Sequence, residues 1–224
     1  MYKIIFIDEQ QSDIDDFKDY VDATNSNEKF EVIGEFPQEE LDEMIQVIIN
    51  HNPDAVVTDF MLNEYKEAIK YNVPYNGVQL VQEILSIRDS FPCFVMTSFD
   101  DNAIKASDDV NLVYIKDILH GSEKETNAKA NFLERVESQI VHYKTKIANA
   151  EKELYRLLEL RNLEKATIED EEEIIRLDHF LERSIDKRNA IPEEYKSLSN
   201  TKRLTEIISK VDELLKKVEK KDGE

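Results

Sequence analysis

Short apolar runs that end in polar residues recur along the first 120 residues, and they constrain the fold more than any other feature. Segments 3–8 (KIIFID), 54–59 (DAVVTD) and 93–98 (CFVMTS) are almost continuously apolar inside, and segments 30–36 and 110–117 follow the same plan. Strands that are apolar on both faces are typical of a parallel sheet with helices covering each side. The sequence therefore predicts five parallel strands.

The segments between these runs have the apolar spacing of amphipathic helices. After the first run, Ile14, Phe17 and Val21 recur at helical intervals, and Ser12 is the expected N-cap. The later segments EELDEMIQVIIN and GVQLVQEILSI show the same spacing. Strands that alternate with helices predict a small doubly wound α/β domain.

The remainder of the chain is helix-forming, with no glycine between residues 122 and 222. An apolar stripe with alternating steps of four and three predicts a coiled coil, although a long helix packed on a hairpin partner gives the same pattern. Thr167 with Asp170 predicts a new helix start, and a last stripe runs from Leu204 to Val218. We expect one domain at 1–143 and a helical region at 144–224. The first stripe comprises Val136, Ile140, Tyr143, Ile147, Ala150, Leu154 and Leu157.

Polar side chains follow four of the predicted strands at the end where parallel sheets bind ligands. Asp8 and Glu9 follow the first strand, Asp59 the third, Thr97 the fourth and Lys116 the fifth. Three carboxylates in one place repel one another unless a cation joins them, and oxygen ligands suit Mg²⁺. A lysine and a hydroxyl beside them can meet a phosphoryl group carried on a carboxylate.

Taken in this order, these residues make the sequence resemble the receiver domain of two-component response regulators, from residue 1 to about 143. The matching segments are FIDE, VVTDFML, PCFVMTS and VYIKD. The resemblance implies a flavodoxin-like fold that accepts a phosphoryl group from a sensor histidine kinase. It implies no enzymatic activity beyond self-phosphorylation and self-dephosphorylation. The implied roles are phosphoacceptor for Asp59, binding of phosphoryl oxygens for Thr97 and Lys116, and Mg²⁺ ligation for Asp8, Glu9, Asp59 and the backbone carbonyl of Met61.

The sequence departs from the receiver pattern in three places. Val113 stands where an aromatic switch residue is usual, and Tyr114, displaced by one residue, is expected on the opposite face of its strand. Asp117 replaces the proline that usually follows the lysine. Segment 63–76 is longer than usual, and either a lid, a partner contact or a tolerated surface insertion explains it.

Two positions near the site suggest how long a phosphoryl group would last. In receivers, the residues two positions past the phosphoacceptor and past the switch hydroxyl flank the path of an attacking water. Here they are Met61 and Phe99, and neither side chain can orient a water molecule. The resemblance therefore predicts slow loss of phosphate from Asp59.

Charge and composition limit the possible partners and location. The net charge is −20, and residues 1–120 contain 8 basic and 25 acidic residues. An acidic surface repels phosphate backbones, which argues against nucleic-acid binding. No apolar run reaches the ~18 residues of a membrane span, and the N-terminus lacks a signal-peptide pattern. The single cysteine, Cys93, fits a reducing cytoplasm as an inert buried thiol.

We therefore predict a cytoplasmic response regulator that signals through protein–protein interaction of its helical region. The expected partners are a sensor histidine kinase, an unknown protein target and a second copy of the chain bound through the C-terminal helices. One alternative is a pseudo-receiver scaffold that is never phosphorylated and whose coiled coil mediates assembly. Another is an enzymatic or phosphotransfer domain in the tail, for which His142 and His179 would be the candidate histidines.

Overall fold

A computed structural model of the chain describes residues 1–24, 28–63, 68–98, 113–116 and 126–196. Within the chain, two compact units are separable, Met1–Thr145 (the first unit) and Lys146–Glu224 (the second unit). Phe99, Asp117 and the predicted stripe from Leu204 to Val218 lie outside the described residues.

Five parallel strands form one sheet in the first unit, in the order β2-β1-β3-β4-β5. This is the flavodoxin-like order, and it confirms the predicted doubly wound α/β fold followed by a helical region. The strands are β1 (Tyr2–Ile7), β2 (Phe30–Glu35), β3 (Ala55–Asp59), β4 (Cys93–Thr97) and β5 (Val113–Ile115).

The helices begin and end close to the predicted positions. No helix in the described ranges has both the length and the apolar content needed to cross a bilayer. The prediction of Ser12 as an N-cap is wrong: the first helix has Gln10 as its N-cap, and its backbone N–H donates to Asp8 Oδ1 at 2.9 Å. The helices are α1 (Gln11–Ala23), α2 (Leu41–His51), α3 (Gly77–Ile87), α4 (Thr126–Asn162) and α5 (Ile168–Asp186).

Both faces of the sheet are covered, because successive strand residues point to opposite sides. On one face, Ile5, Ile7 and Val56 join a buried cluster with α2 and α3. On the other, Ile4 and Phe6 join a buried cluster with α1 and the first half of α4. Burial on both faces explains why the strands are almost continuously apolar.

The first half of α4 belongs to the core of the first unit. Phe132, which is 1% exposed, packs with Tyr114 at a ring separation of 4.9 Å and with Phe94 at 5.8 Å. Val136 and Ile140, the first residues of the predicted coiled-coil stripe, are fully buried in the same cluster. This part of the stripe therefore covers the sheet.

In the second unit, α5 runs antiparallel to the second half of α4. Arg161 near the end of α4 pairs with Glu171 near the start of α5, and Lys146 lies over the Phe180 ring at 5.0 Å. Thr167 begins α5 with a capping box to Asp170, as predicted. Of the two arrangements left open by the sequence, the described residues form the hairpin, and dimerisation stays a prediction.

Truncating Phe132 tests whether α4 is part of the sheet's core. We expect Phe132→Ala to lower the free energy of unfolding by about 3–5 kcal/mol, because it opens a cavity among packed aromatic rings. Urea denaturation followed by circular dichroism measures the change. Tyr155→Ala, on the same helix but 70% exposed, should stay within about 0.5 kcal/mol of the wild type. Equal effects of the two changes would contradict this role for α4.

Candidate functional site

The carboxyl ends of β1 and β3 bring three acidic residues together. Asp8 directly follows β1, Asp59 is the last residue of β3, and the two strands are paired up to Ile7 and Thr58. Carboxylate oxygens of Asp8, Glu9 and Asp59 lie within 4.8 Å of one another, and all three residues are buried. β1 lies where the strand order reverses, between β2 and β3, which is where ligands bind in open parallel sheets.

Lys116 places its ammonium group among these carboxylates. Its Nζ lies 2.7 Å from Asp8 Oδ2 and 2.9 Å from Asp59 Oδ1, and it also contacts Asp13 Oδ2. The Lys116 backbone N–H donates to the Thr97 carbonyl at 2.8 Å, which fixes the chain at the end of β5. Only 7% of the Lys116 side chain is exposed, so these charges interact in a medium that screens them weakly.

The backbone after β3 holds the second oxygen of Asp59. The Met61 N–H donates to Asp59 Oδ2 at 2.7 Å, while the Phe60 N–H donates to the Met96 carbonyl at 2.8 Å. Both carboxylate oxygens of Asp59 therefore have a donor, one from Lys116 and one from the backbone. Ligation by the Met61 carbonyl stays a prediction.

The donor set fits a divalent cation that prefers oxygen ligands. Glu9 Oε2 is buried and has no hydrogen-bond partner in the described part of the chain, an arrangement that is costly for a carboxylate. One ammonium faces several carboxylates, so negative charge is in excess at this rim. A bound divalent cation would satisfy the Glu9 oxygen and balance the charge, and Asp8, Glu9 and Asp59 are the residues that would hold it.

Burial shifts the protonation of all three acids in the same direction. It raises the pKa of Asp8 to about 7 and that of Glu9 to about 7, and it also raises the pKa of Asp59. Burial opposes the charge on Lys116, but Asp59, Asp8 and Asp13 outweigh it, so its pKa is raised. Without a cation, the site therefore disfavours full ionisation of its acids.

The structure brings together Asp8, Glu9, Asp59 and Lys116, as the sequence predicted. Thr97 is buried at the end of β4, next to the Lys116 backbone. The sequence analysis missed Asp13, whose carboxylate contacts Lys116 from the first turn of α1.

Val113 and Tyr114 lie on opposite faces of the sheet, as predicted. Val113 packs against the cluster formed by α2 and α3, and Tyr114 packs against the cluster formed by α1 and α4. The guanidinium of Arg135 lies 5.9 Å from the centre of the Tyr114 ring. The usual aromatic position is therefore occupied by an aliphatic side chain, and the nearby tyrosine is packed elsewhere.

The long segment after β3 is anchored to the loop before α2, in the part that the structure describes (63 and 68–76). The Tyr71 hydroxyl donates to the Pro37 carbonyl at 2.7 Å, and the Tyr75 hydroxyl donates to the Gln38 carbonyl at 2.8 Å. Val73 is buried in the core on the same side of the sheet as α2 and α3. This segment is therefore packed against the domain.

Gly77, the first residue of α3, allows that helix to approach Asp59. A Cβ at this position would lie 2.0 Å from the Asp59 carbonyl oxygen and 2.9 Å from its carbonyl carbon. Both are backbone atoms, which move only if the end of β3 moves. The Gly77 N–H also donates to the Phe60 carbonyl at 3.0 Å. The start of α3 therefore fixes the position of Asp59.

Comparisons with known proteins find similar solved structures. No protein-family model matches the chain, and no curated protein matches it. One similar solved structure is the signal receiver domain of NarL from Mycobacterium tuberculosis, at 15% identity and a TM-score of 0.40 over 61% of this chain and 96% of that chain. A second is the anti-anti-sigma factor PhyR from Bartonella quintana, at 16% identity and a TM-score of 0.44 over 67% of this chain and 51% of that chain. A third is the response regulator RcsB from Salmonella typhimurium, at 14% identity and a TM-score of 0.42 over 80% of this chain and 91% of that chain.

The chain spans about half the length of the PhyR chain that it matches. The strand order and the helices on both faces, which come from the chain itself, give it the fold of response regulator receiver domains.

The raised pKa values predict that the metal-free protein loses stability as pH rises. Asp8 and Glu9 bind protons in the folded state up to about pH 7, whereas their ordinary values are 3.8 and 4.5. Between these values the folded state holds more protons, so the free energy of unfolding falls as pH increases through this window. Urea unfolding in a chelator, from about pH 5 to about pH 8, measures the slope.

The net charge of −20 also opposes folding at high pH, so a control must separate its effect from that of the buried acids. Glu9→Gln is that control, because it removes one of the two acids with a raised pKa. The variant should show a shallower slope than the wild type, and Mg²⁺ should stabilise the wild type most at the alkaline end. A wild-type stability that increases with pH over this range would contradict the prediction.

Gly77→Ala should disturb the site through the backbone of Asp59. We expect a loss of about 1–3 kcal/mol in the free energy of unfolding, together with loss of the thermal stabilisation by Mg²⁺. The matched variant is Gly34→Ala, whose Cβ would lie 2.2 Å from Ile14 Cγ2, a side-chain atom and not the backbone of a candidate metal ligand. It should lose stability but keep the response to Mg²⁺. Retention of that response by Gly77→Ala would contradict the positioning role.

Proposed function

We propose that the first unit is a phosphoacceptor receiver in which Asp59 accepts a phosphoryl group from the phosphohistidine of a sensor histidine kinase. The observation that carries this proposal is the buried contact of the Lys116 ammonium with both Asp59 and Asp8. It is supported by the convergence of Asp8, Glu9 and Asp59. An amine and a cation-binding acid group beside one carboxylate match the needs of phosphoryl transfer, in which charge builds on the transferred oxygens.

In the proposed transfer, a carboxylate oxygen of Asp59 forms a bond to phosphorus as the bond between phosphorus and the donor imidazole breaks. The electron pair of that bond, and then a proton, end on the imidazole. Lys116 neutralises charge on the phosphoryl oxygens, and the Met61 N–H orients the Asp59 carboxylate. A Mg²⁺ ion, when bound, would supply further charge neutralisation. Thr97 is the proposed hydroxyl donor to the phosphoryl group, and no activity on a separate small substrate is proposed.

The output proposed for the helical region is protein–protein interaction, in the cytoplasm. The second unit supports this proposal because it forms a helical hairpin that exposes large apolar side chains, including Tyr155 and Ile185. The proposed partners are the kinase, a protein target and a second copy of the chain. A basic surface on the target would suit the acidic first half of the sequence.

The second candidate function, a scaffold that is never phosphorylated, is favoured by one observation. Val113 occupies the usual aromatic position, and Tyr114 is packed among Phe94 and Phe132. The two functions differ in whether Asp59 can be phosphorylated.

Incubation with Mg²⁺ and acetyl phosphate, followed by intact mass spectrometry, tests the proposed function. We expect one acid-labile phosphoryl group per chain in the wild type and none in Asp59→Asn, because the amide cannot form the acyl phosphate. Asp42→Asn changes an exposed acid in the first turn of α2 and should label like the wild type. Absence of label in the wild type would favour the scaffold. Label that remains in Asp59→Asn would mean that another residue accepts the phosphoryl group, which would contradict the role proposed for Asp59.

A further inference from the structure

Asp13 gives Lys116 a third carboxylate that lies outside the group of Asp8, Glu9 and Asp59. It belongs to the first turn of α1, and its Oδ2 contacts Lys116 Nζ. The Asp13 side chain is 19% exposed, so this ion pair is partly shielded from water. The contact joins residues that are 103 positions apart in the sequence, and the proposed chemistry does not require it.

The ammonium group of Lys116 faces three carboxylates in this arrangement. Its Nζ donates hydrogen bonds to Asp8 and Asp13 and forms an ion pair with Asp59, and an ammonium has three N–H donors in all. A phosphoryl group on Asp59 would therefore compete with the Asp13 carboxylate for Lys116. Asp8 and Asp59 belong to the group that can hold a cation, and Asp13 does not. A cation bound by Asp8 and Asp59 would compete with Lys116 for their oxygens but not for those of Asp13.

We propose that Asp13 is a positioning residue that holds Lys116 toward α1 and competes with the phosphoryl group for it. This inference rests on the proposed function. Two physical effects act in the same direction. Asp13 occupies one of the three N–H donors of Lys116, and its negative charge repels the phosphoryl oxygens across a poorly screened site. The residue therefore weakens phosphoryl binding and favours the unphosphorylated state.

Replacing Asp13 should change the affinity for the phosphoryl group and the affinity for Mg²⁺ in opposite directions. Without the Asp13 carboxylate, Lys116 has a free donor for the phosphoryl group, so phosphoryl binding becomes stronger. Lys116 also binds Asp8 and Asp59 more closely, and one negative charge is lost, so Mg²⁺ binding becomes weaker. A residue with only a structural role would weaken both, because a disordered site binds neither ligand well.

The test compares Asp13→Asn with Asp15→Asn in the full chain. Asp15 lies on the same helix and is exposed, and its carboxylate accepts a hydrogen bond from Gln11. Its replacement removes the same charge from α1 but no contact to Lys116. Beryllium fluoride, which mimics a phosphoryl group on a carboxylate, is titrated at saturating Mg²⁺ and followed by NMR. Mg²⁺ alone is titrated by calorimetry.

We expect Asp13→Asn to bind beryllium fluoride about tenfold more tightly than the wild type and Mg²⁺ about threefold more weakly. Asp15→Asn should change both affinities less than about twofold. If a thermal melt shows that Asp13→Asn is not folded, Asp13→Ser is measured in its place, and we expect the same changes in both affinities.

Three outcomes overturn the inference. If the wild type binds beryllium fluoride but Asp13→Asn binds it no more tightly than Asp15→Asn, the inference fails and the proposed function stands. If Asp13→Asn binds both beryllium fluoride and Mg²⁺ more weakly than the wild type, the role of Asp13 is structural. If the wild type binds Mg²⁺ but no beryllium fluoride, the proposed function fails and the inference fails with it.

Discussion

The site depends on one long side chain that joins three separate parts of the first unit. Lys116 follows β5, the edge strand, and its ammonium meets Asp59 at the end of β3, Asp8 after β1 and Asp13 on α1. β4 lies between β5 and β3 in the sheet. Replacing Lys116 with a neutral side chain would remove the ammonium that these carboxylates share and would increase their mutual repulsion.

The group of charged residues around Lys116 contributes little to the stability of the first unit, so the apolar core must supply that stability. Removing several charges from water is costly, and their mutual attraction repays that cost only partly. The raised pKa values of Asp8 and Glu9 express the same cost. The two buried clusters on the faces of the sheet provide the favourable free energy. They also fix β1 and β3, so the acids cannot move apart to relieve their repulsion.

The sequence predicts most of this site because strand ends are easy to identify. The apolar runs locate the strands, and parallel strands place their last residues at one rim, which brings together Asp8, Glu9, Asp59 and Lys116. Asp13 could not be found this way. An acid in the first turn of a helix is usually a solvated residue that suits the helix dipole, so its contact with a lysine 103 positions away depends on tertiary packing. The expectation that Ser12 caps the helix is wrong because α1 begins at Gln11, so Ser12 lies inside the first turn and its hydroxyl donates to Asp13 Oδ1.

The apolar stripe on α4 is a second feature that the sequence predicts only in part. The helical spacing of its apolar residues does not show which element packs against them. Val136 and Ile140 cover the sheet, whereas farther along the same helix Arg161 pairs with α5. Tyr114 is two residues from Lys116 on β5, and its ring packs on Phe132 of α4 at 4.9 Å. Among the described strands, β5 pairs with β4 only, and the aromatic contact joins it to α4. In the function proposed above, a phosphoryl group that draws Lys116 away from Asp13 would act on α4 through this contact, which requires no aromatic residue at position 113.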